Sequence, residues 1–145
     1  MKKNLITATC TGLGIDGKGY FRYQGKEYAC PNFLPHEKAE IDIQNQRQPK
    51  LINLLEASKH RILPKCEKYQ QCGGCQLLHM DFNTQQDFKP NRVKKVFAPL
   101  KQMLKTDIPA CIMADDPWYY RNKIQMPVSS HKNGQVLIGF YQEGS

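Results

Sequence analysis

No apolar run in the chain approaches the ~18 residues that a membrane-spanning helix requires. No segment is therefore expected to cross a bilayer, and no membrane partner is expected. Residues 1–10, MKKNLITATC, open with lysines as a secretory leader does. Their apolar part is too short and too rich in threonine to be one. A cytoplasmic protein is expected, with its six cysteines reduced. Acidic residues are scarce: 13 Asp and Glu stand against 21 Lys and Arg, a formal net charge of +8 over 145 residues. No basic amphipathic helix with an aromatic or leucine face accompanies that charge, which favours nucleic acid over a membrane surface. Charge alone does not separate this chain from an ordinary basic protein. A phosphate-binding loop is missing too. The glycines at 12, 14, 17 and 19 are followed by neither Gly-Lys-Ser/Thr nor a helix pattern, and they read as hairpin turns with Asp16-Gly17 as a turn pair.

The length allows one ordinary domain or two small ones, and 40% hydrophobic residues suffice for a core. Ile41 and Ile43 alternate with polar neighbours, while residues 5–11 and 19–23 are rich in β-formers. Turn signals at residues 14–19, 24–26 and 31–35 separate these runs. Residues 51–62 are taken as a closing strand, because short strands at this spacing suggest a small barrel. Residues 81–105 place Val93, Val96, Phe97, Leu100 and Leu104 at helical spacing. Pro90 and Pro99 interrupt that pattern, which predicts a kinked helix or two short ones. Lys89 to Lys105 holds six basic residues and no acidic one, a solvated face or a phosphate contact. Residues 119–128 alternate as a strand, Asn133-Gly134 signals a hairpin, and residues 136–141 return. The expectation is a mainly β (α+β) chain in four parts. These are a small barrel over 1–63, a cysteine loop over 64–80, a helical connector over 81–116, and the start of a further β domain over 117–145, cut inside that domain.

Cys66, Cys72 and Cys75 follow the spacing Cys-x5-Cys-x2-Cys around Gly73-Gly74. A Cys-x2-Cys step brings two thiolates to one metal from a tight turn, and the glycines let amide N–H groups face sulfur. A structural zinc and an iron–sulfur cluster both fit, and both call for four ligands as a rule. His79, Cys111, Cys10, Cys30 or a residue outside the chain could supply the fourth. A redox Cys-x-x-Cys lacks the βαβ context it prefers. Cys10 and Cys30, on predicted strands, read as small core residues, as does Cys111 in its apolar run. His79, after Leu77-Leu78, reads as packed or capping.

At Cys66-x5-Cys72-Gly73-Gly74-Cys75-Gln76-Leu77-Leu78-His79 the sequence resembles the RNA uracil-5-methyltransferases of the ribosomal-RNA type. Residues 12–20, 25–31 and 34–41 look like that family's N-terminal TRAM domain, an OB-like RNA-binding β-barrel. Trp118-Tyr119-Tyr120-Arg121-Asn122-Lys123-Ile124-Gln125 and Gly139-Phe140-Tyr141 resemble the opening of its central domain. The resemblance implies that Cys66, Cys72 and Cys75 are three ligands of a [4Fe–4S] cluster whose fourth cysteine lies beyond residue 145. Pro90 departs from the family's continuous helix. The chemistry implied is addition of a Cys nucleophile to C6 of a flipped-out uridine. The methyl group of S-adenosylmethionine then passes to C5, and a carboxylate takes the C5 proton. No cofactor loop and no nucleophile motif of that family occurs in these residues, so no catalytic residue is assigned and the chain alone is expected to be inactive.

The leading expectation is thus the N-terminal RNA-recognition and iron–sulfur part of a SAM-dependent 23S ribosomal RNA (uracil-5-)-methyltransferase, a monomer that binds structured RNA. Candidate RNA-binding residues are Arg61, Lys65, Lys68, Tyr20, Arg22, Arg121 and Lys123, with Tyr20 and Tyr23 offering either stacking faces or barrel core. The alternatives are a stand-alone RNA-binding module holding zinc or an iron–sulfur centre, and an iron–sulfur redox protein.

Overall fold

The computed structural model describes residues 4–103 and 106–142. Residues 1–3, Leu104, Lys105 and residues 143–145 lie outside the described residues. The described chain divides into two compact units, one from residues within 1–63 and 76–112, the other from residues within 64–75 and 113–145. Among the described residues no helix is long and apolar enough to cross a membrane.

The first unit is mainly β. Strands β1 (Leu5–Thr9), β5 (Lys38–Asp42) and β6 (Lys50–Glu56) form one antiparallel sheet in the order β1-β5-β6. Strands β2 (Gly12–Leu13), β3 (Gly19–Tyr23) and β4 (Lys26–Cys30) form a second, in the order β2-β3-β4. The period of two sets which side chains turn inward. Ile6 and Ala8 of β1, Phe21 of β3, Tyr28 and Cys30 of β4, and Ala39 and Ile41 of β5 meet Cys10, Phe33 and Ile43 in one core shared by both sheets. Phe21 stacks on Tyr28 at 5.3 Å and meets Phe33 edge-on at 6.2 Å. Each such fully buried side chain stabilises the fold by about 1.5–3 kcal/mol relative to exposure. Gly19 sits where β3 passes closest to the neighbouring loop. A Cβ there would collide with the Phe33 carbonyl oxygen and lie 2.8 Å from Cys10 Sγ, so no other residue fits.

Residues 10 and 11 carry the chain from one sheet to the other. Cys10 N–H donates to Glu37 O at 2.9 Å, and Thr11 N–H to Tyr20 O at 2.8 Å. The closing role expected for residues 51–62 is not what the structure shows. β6 stops at Glu56 and pairs with β5 alone, so the described strands of this unit pair as two three-stranded sheets. The cause is visible in β6 itself. Its register against β5 shifts twice, and Ile52 and Leu55 remain exposed, as at a sheet edge.

After β6 the chain reaches a neck. Ile62 N–H donates to His79 O at 3.0 Å, Asp81 N–H to His60 O at 2.9 Å, and Arg61 bridges Met80 antiparallel. Residues on either side of the cysteine loop are thereby held side by side. Helix α1 (Phe82–Phe97) then begins at Asp81, whose carboxylate accepts the Thr84 N–H at 2.8 Å and the Thr84 hydroxyl at 2.7 Å. His60 Nδ1 lies 3.0 Å from the same carboxylate. The helix runs through Pro90 as one element, so of the two arrangements expected the single helix is the one present; a 3-10 turn, Ala98–Leu100, follows and contains Pro99. No residue of α1 is buried, and Val93, Val96 and Phe97 are all exposed.

The second unit is built from turns and one short hairpin. Strands β7 (Val128–Ser130) and β8 (Val136–Ile138) pair antiparallel. Asn133-Gly134 closes them as expected, in a three-residue loop in which His131 N–H donates to Gln135 O at 2.8 Å and Gly134 takes φ 84°. The strand expected over 119–128 is absent before Val128. Pro127 has no N–H for a ladder, and only its carbonyl is used, by Gly139 N–H at 3.3 Å.

Candidate cysteine loop and nucleic-acid interface

Two polar constellations stand out, one in each unit. In the first, Glu37 is completely buried and its carboxylate is surrounded by donors. Leu34 N–H reaches Oε2 at 2.8 Å, Ser58 N–H reaches Oε1 at 3.1 Å, and the Arg61 guanidinium clasps both oxygens through Nε and Nη2, the latter at 2.7 Å. Arg61 Nη2 also donates to the Asn32 carbonyl at 2.6 Å. Burial alone would push the Glu37 carboxyl up. The Arg61 and backbone hydrogen bonds and the Arg61 charge outweigh it and hold the group below the ordinary carboxylate range. Arg61, expected to contact RNA, is therefore committed to the interior of the unit. The sequence placed it in a basic run, and only the fold brings Glu37 to it across 24 residues.

His79 is buried in the same unit at 1% exposure, in keeping with a packed histidine. Burial first, then the Arg61 charge, push it down to about 4 against a partial offset from Glu37. Cys10 and Cys30 are core residues, as read from the sequence, and burial pushes the Cys10 thiol up to about 11. Tyr20 is half-buried with its ring over Gly14, Tyr23 packs against the core, and Arg22 is exposed beside Glu27 at 3.8 Å.

The second unit carries the cysteine loop. Tyr69 N–H donates to Cys66 O at 3.1 Å and Cys72 N–H to Lys68 O at 2.8 Å, so the five residues between the first two cysteines fold as a turn with Tyr69 buried beneath it. Gly73 N–H donates to Tyr141 O at 2.9 Å. Gly74 N–H donates to Cys72 Sγ at 3.4 Å, so one loop amide faces sulfur. Burial and the neighbouring Cys72 and Cys66 push the Cys75 thiol up, and Arg121 acts in the opposite sense. The loop thus brings the three sulfurs within electrostatic reach of one another beside a cation. Among the described residues, no three His, Cys, Asp or Glu side chains are gathered tightly enough to hold a metal ion as they stand. The donor set, three thiols with an amide aimed at sulfur, fits an iron–sulfur cluster in chemistry. Cys111 belongs to the first unit, half-buried, with its thiol directed to its own neighbour's carbonyl at 3.6 Å.

Of the cationic candidates, Lys65, Lys68, Arg121 and Lys123 fall in this unit and all are exposed. Lys65 Nζ lies over the Trp118 ring at 5.1 Å. Trp118 itself was not among the candidates. It lies just before the alternating residues 119–128, and the proximity of Lys65 to Trp118 leaves no trace in local sequence.

The whole chain is similar to part of several longer bacterial proteins. An uncharacterized RNA methyltransferase of Oceanobacillus iheyensis is 34% identical over 99% of the chain and 32% of its own length. One of Listeria monocytogenes is 35% identical over 100% of the chain and 33% of its own length. One of Halalkalibacterium halodurans is 32% identical over 99% of the chain and 32% of its own length. The chain spans about a third of the curated relatives it matches, and this similarity supports kinship with RNA methyltransferases. No family profile matches it.

Proposed function

We propose that this chain is the RNA-recognition and cluster-bearing part of an enzyme that methylates uracil at C5 in 23S ribosomal RNA with S-adenosylmethionine as donor. The observation that carries the reading is similarity to proteins named RNA methyltransferases along 99% of the chain, cysteine loop included. The +8 charge supports an RNA partner. In this reading Cys66, Cys72 and Cys75 hold three corners of a [4Fe–4S] cluster, with a cysteine outside these 145 residues as the fourth ligand. The cluster, when bound, ties the loop together as a structural centre. The chain's own residues prepare it: Gly74 N–H faces Cys72 Sγ, Arg121 partly offsets the burial and neighbouring thiols that push Cys75 up, and the turn on Tyr69 sets the separation of Cys66 from Cys72.

Anaerobic reconstitution of the chain with iron and sulfide tests the ligand set. A broad visible absorption band is expected, lost in Cys72→Ser, while the far-ultraviolet dichroism of the β-sheets is unchanged. A Cys72→Ser chain that takes up iron like the wild type refutes the assignment. Methylation is tested with a full-length protein containing this stretch: 5-methyluridine in 23S RNA supports the reading, and methylation confined to another base or another RNA refutes it.

A further inference from the structure

Trp118, Tyr119 and Tyr120 form a run of three aromatics that the proposed cluster chemistry does not use. Tyr119 is 99% exposed and Tyr120 72% exposed. Tyr119 also holds a left-handed backbone at φ 55°, a conformation that costs a bulky residue energy and that gathers at binding sites. Trp118 is set by an Asx turn: Asp116 Oδ1 accepts the Trp118 N–H at 2.9 Å. Lys65 then lies over one ring face at 5.1 Å, so the indole is paired with a cation and turned toward the cysteine loop. Lys65, Cys66, Asp116, Trp118 and Tyr119 line a cavity of about 350 Å³ within the second unit. Its features are two aromatic faces, a cation at the rim, and exposed Lys68, Arg121 and Lys123 on the same unit.

We infer that this cavity is a stacking site for one unpaired nucleobase of single-stranded RNA. Tyr119 and Trp118 supply the π-faces, and Lys65 meets the adjoining phosphate. The inference rests on the RNA reading above and places a contact that neither the cysteine spacing nor the sheets of the first unit predict. Every base has a π-face, so such a site grips a looped-out strand without reading its sequence, and a duplex, whose bases are already stacked, cannot enter. An exposed tyrosine held in a strained backbone has no packing to reward it in the free protein. A stacked base would.

Trp118 is the only tryptophan in the chain, so emission excited selectively at tryptophan, apart from the seven tyrosines, reports on this cavity. The full chain is titrated at low salt with a dye-labelled oligouridylate, read by anisotropy of the dye and by Trp118 emission. Binding with quenching of Trp118 is expected, together with a loss of affinity of roughly 5- to 150-fold in Tyr119→Ala, restored in Tyr119→Phe. Lys65→Met should lower the slope of log affinity against log salt by about one phosphate's worth. Anisotropy binding with unchanged Trp118 emission, or with Tyr119→Ala binding as tightly as wild type, overturns the stacking site and leaves the RNA reading standing. No anisotropy change with single-stranded or hairpin RNA at low salt overturns both.

Discussion

The two units of this chain are held together by different means. The first has Phe21, Phe33, Ile41, Cys30 and Met80 essentially sealed from water, and a buried ion pair fixes the strand β5 entrance to the neck. In the second, Tyr69 is the one buried hydrophobic residue among those described, while Val128, Val136, Ile138 and Tyr141 are all more than 60% exposed. A region with so little apolar burial draws its order from turns and from a short hairpin. The difference teaches where damage will spread. Disturbing the first unit threatens a fold, whereas disturbing the second threatens a site.

The strongest expected demonstration lies at Arg61. Arg61→Met leaves the Glu37 carboxylate fully buried without its counter-charge, and breaking a buried pair of this kind costs about 3–5 kcal/mol. Urea denaturation followed by far-ultraviolet dichroism measures it. A cost below about 1 kcal/mol would mean that the first unit does not depend on this pair.

A smaller effect follows from acid. Unfolded, His79 takes up its proton near its ordinary 6.5, whereas in the fold it waits until about 4. Between those values the unfolded chain binds the extra proton, so stability falls as pH drops from 6.5 to 4, by up to about 3 kcal/mol. Glu37 acts further down. Its depressed carboxyl contributes stability above about 4.5 that is lost as pH falls below it. His79→Leu should flatten the upper part of the decline and leave the lower part. A wild-type urea midpoint that is level from pH 7 to 5 contradicts this.

The smallest effect belongs to the helix. Asp81→Ala removes the cap from Thr84 N–H and should cost about 1 kcal/mol, with the loss concentrated in α1 amide protection and the sheets unaffected. Equal loss of protection in β3 would show that helix and sheets unfold as one.

What could be read in advance was local. The alternation of Ile41 and Ile43, the turn at Gln24-Gly25 with both residues at positive φ, the Asn133-Gly134 loop and the core roles of Cys10 and Cys30 are each written within a few residues. What could not be read was set by partners far along the chain or by edges. Arg61 looked like a free cation because its acceptor is Glu37, and residues 57–62 looked like strand because nothing local announces that β6 lacks a second neighbour. In the candidate site, spacing alone singled out the three cysteines, and the fold sets them in one loop of the second unit. The aromatic cavity beside Cys66 was not, because it needs Lys65 and Trp118 to meet across more than fifty positions.

The neck at residues 60–62 and 79–81 carries a consequence for how this architecture tolerates change. The two backbone hydrogen bonds of the Arg61–Met80 bridge pin the ends of the excursion together, and Leu77 at its returning end packs at Gly17 and accepts from Gln85, so the chain entering and leaving residues 64–75 is held within the first unit itself. Lengthening such an excursion costs little entropy, about 0.6 kcal/mol for each doubling. The stretch between is therefore an exchangeable cassette. Insertions, altered cysteine spacings or a transplanted loop could enter there while the sheets keep their register, so ligand chemistry can diversify on a scaffold that does not have to change with it.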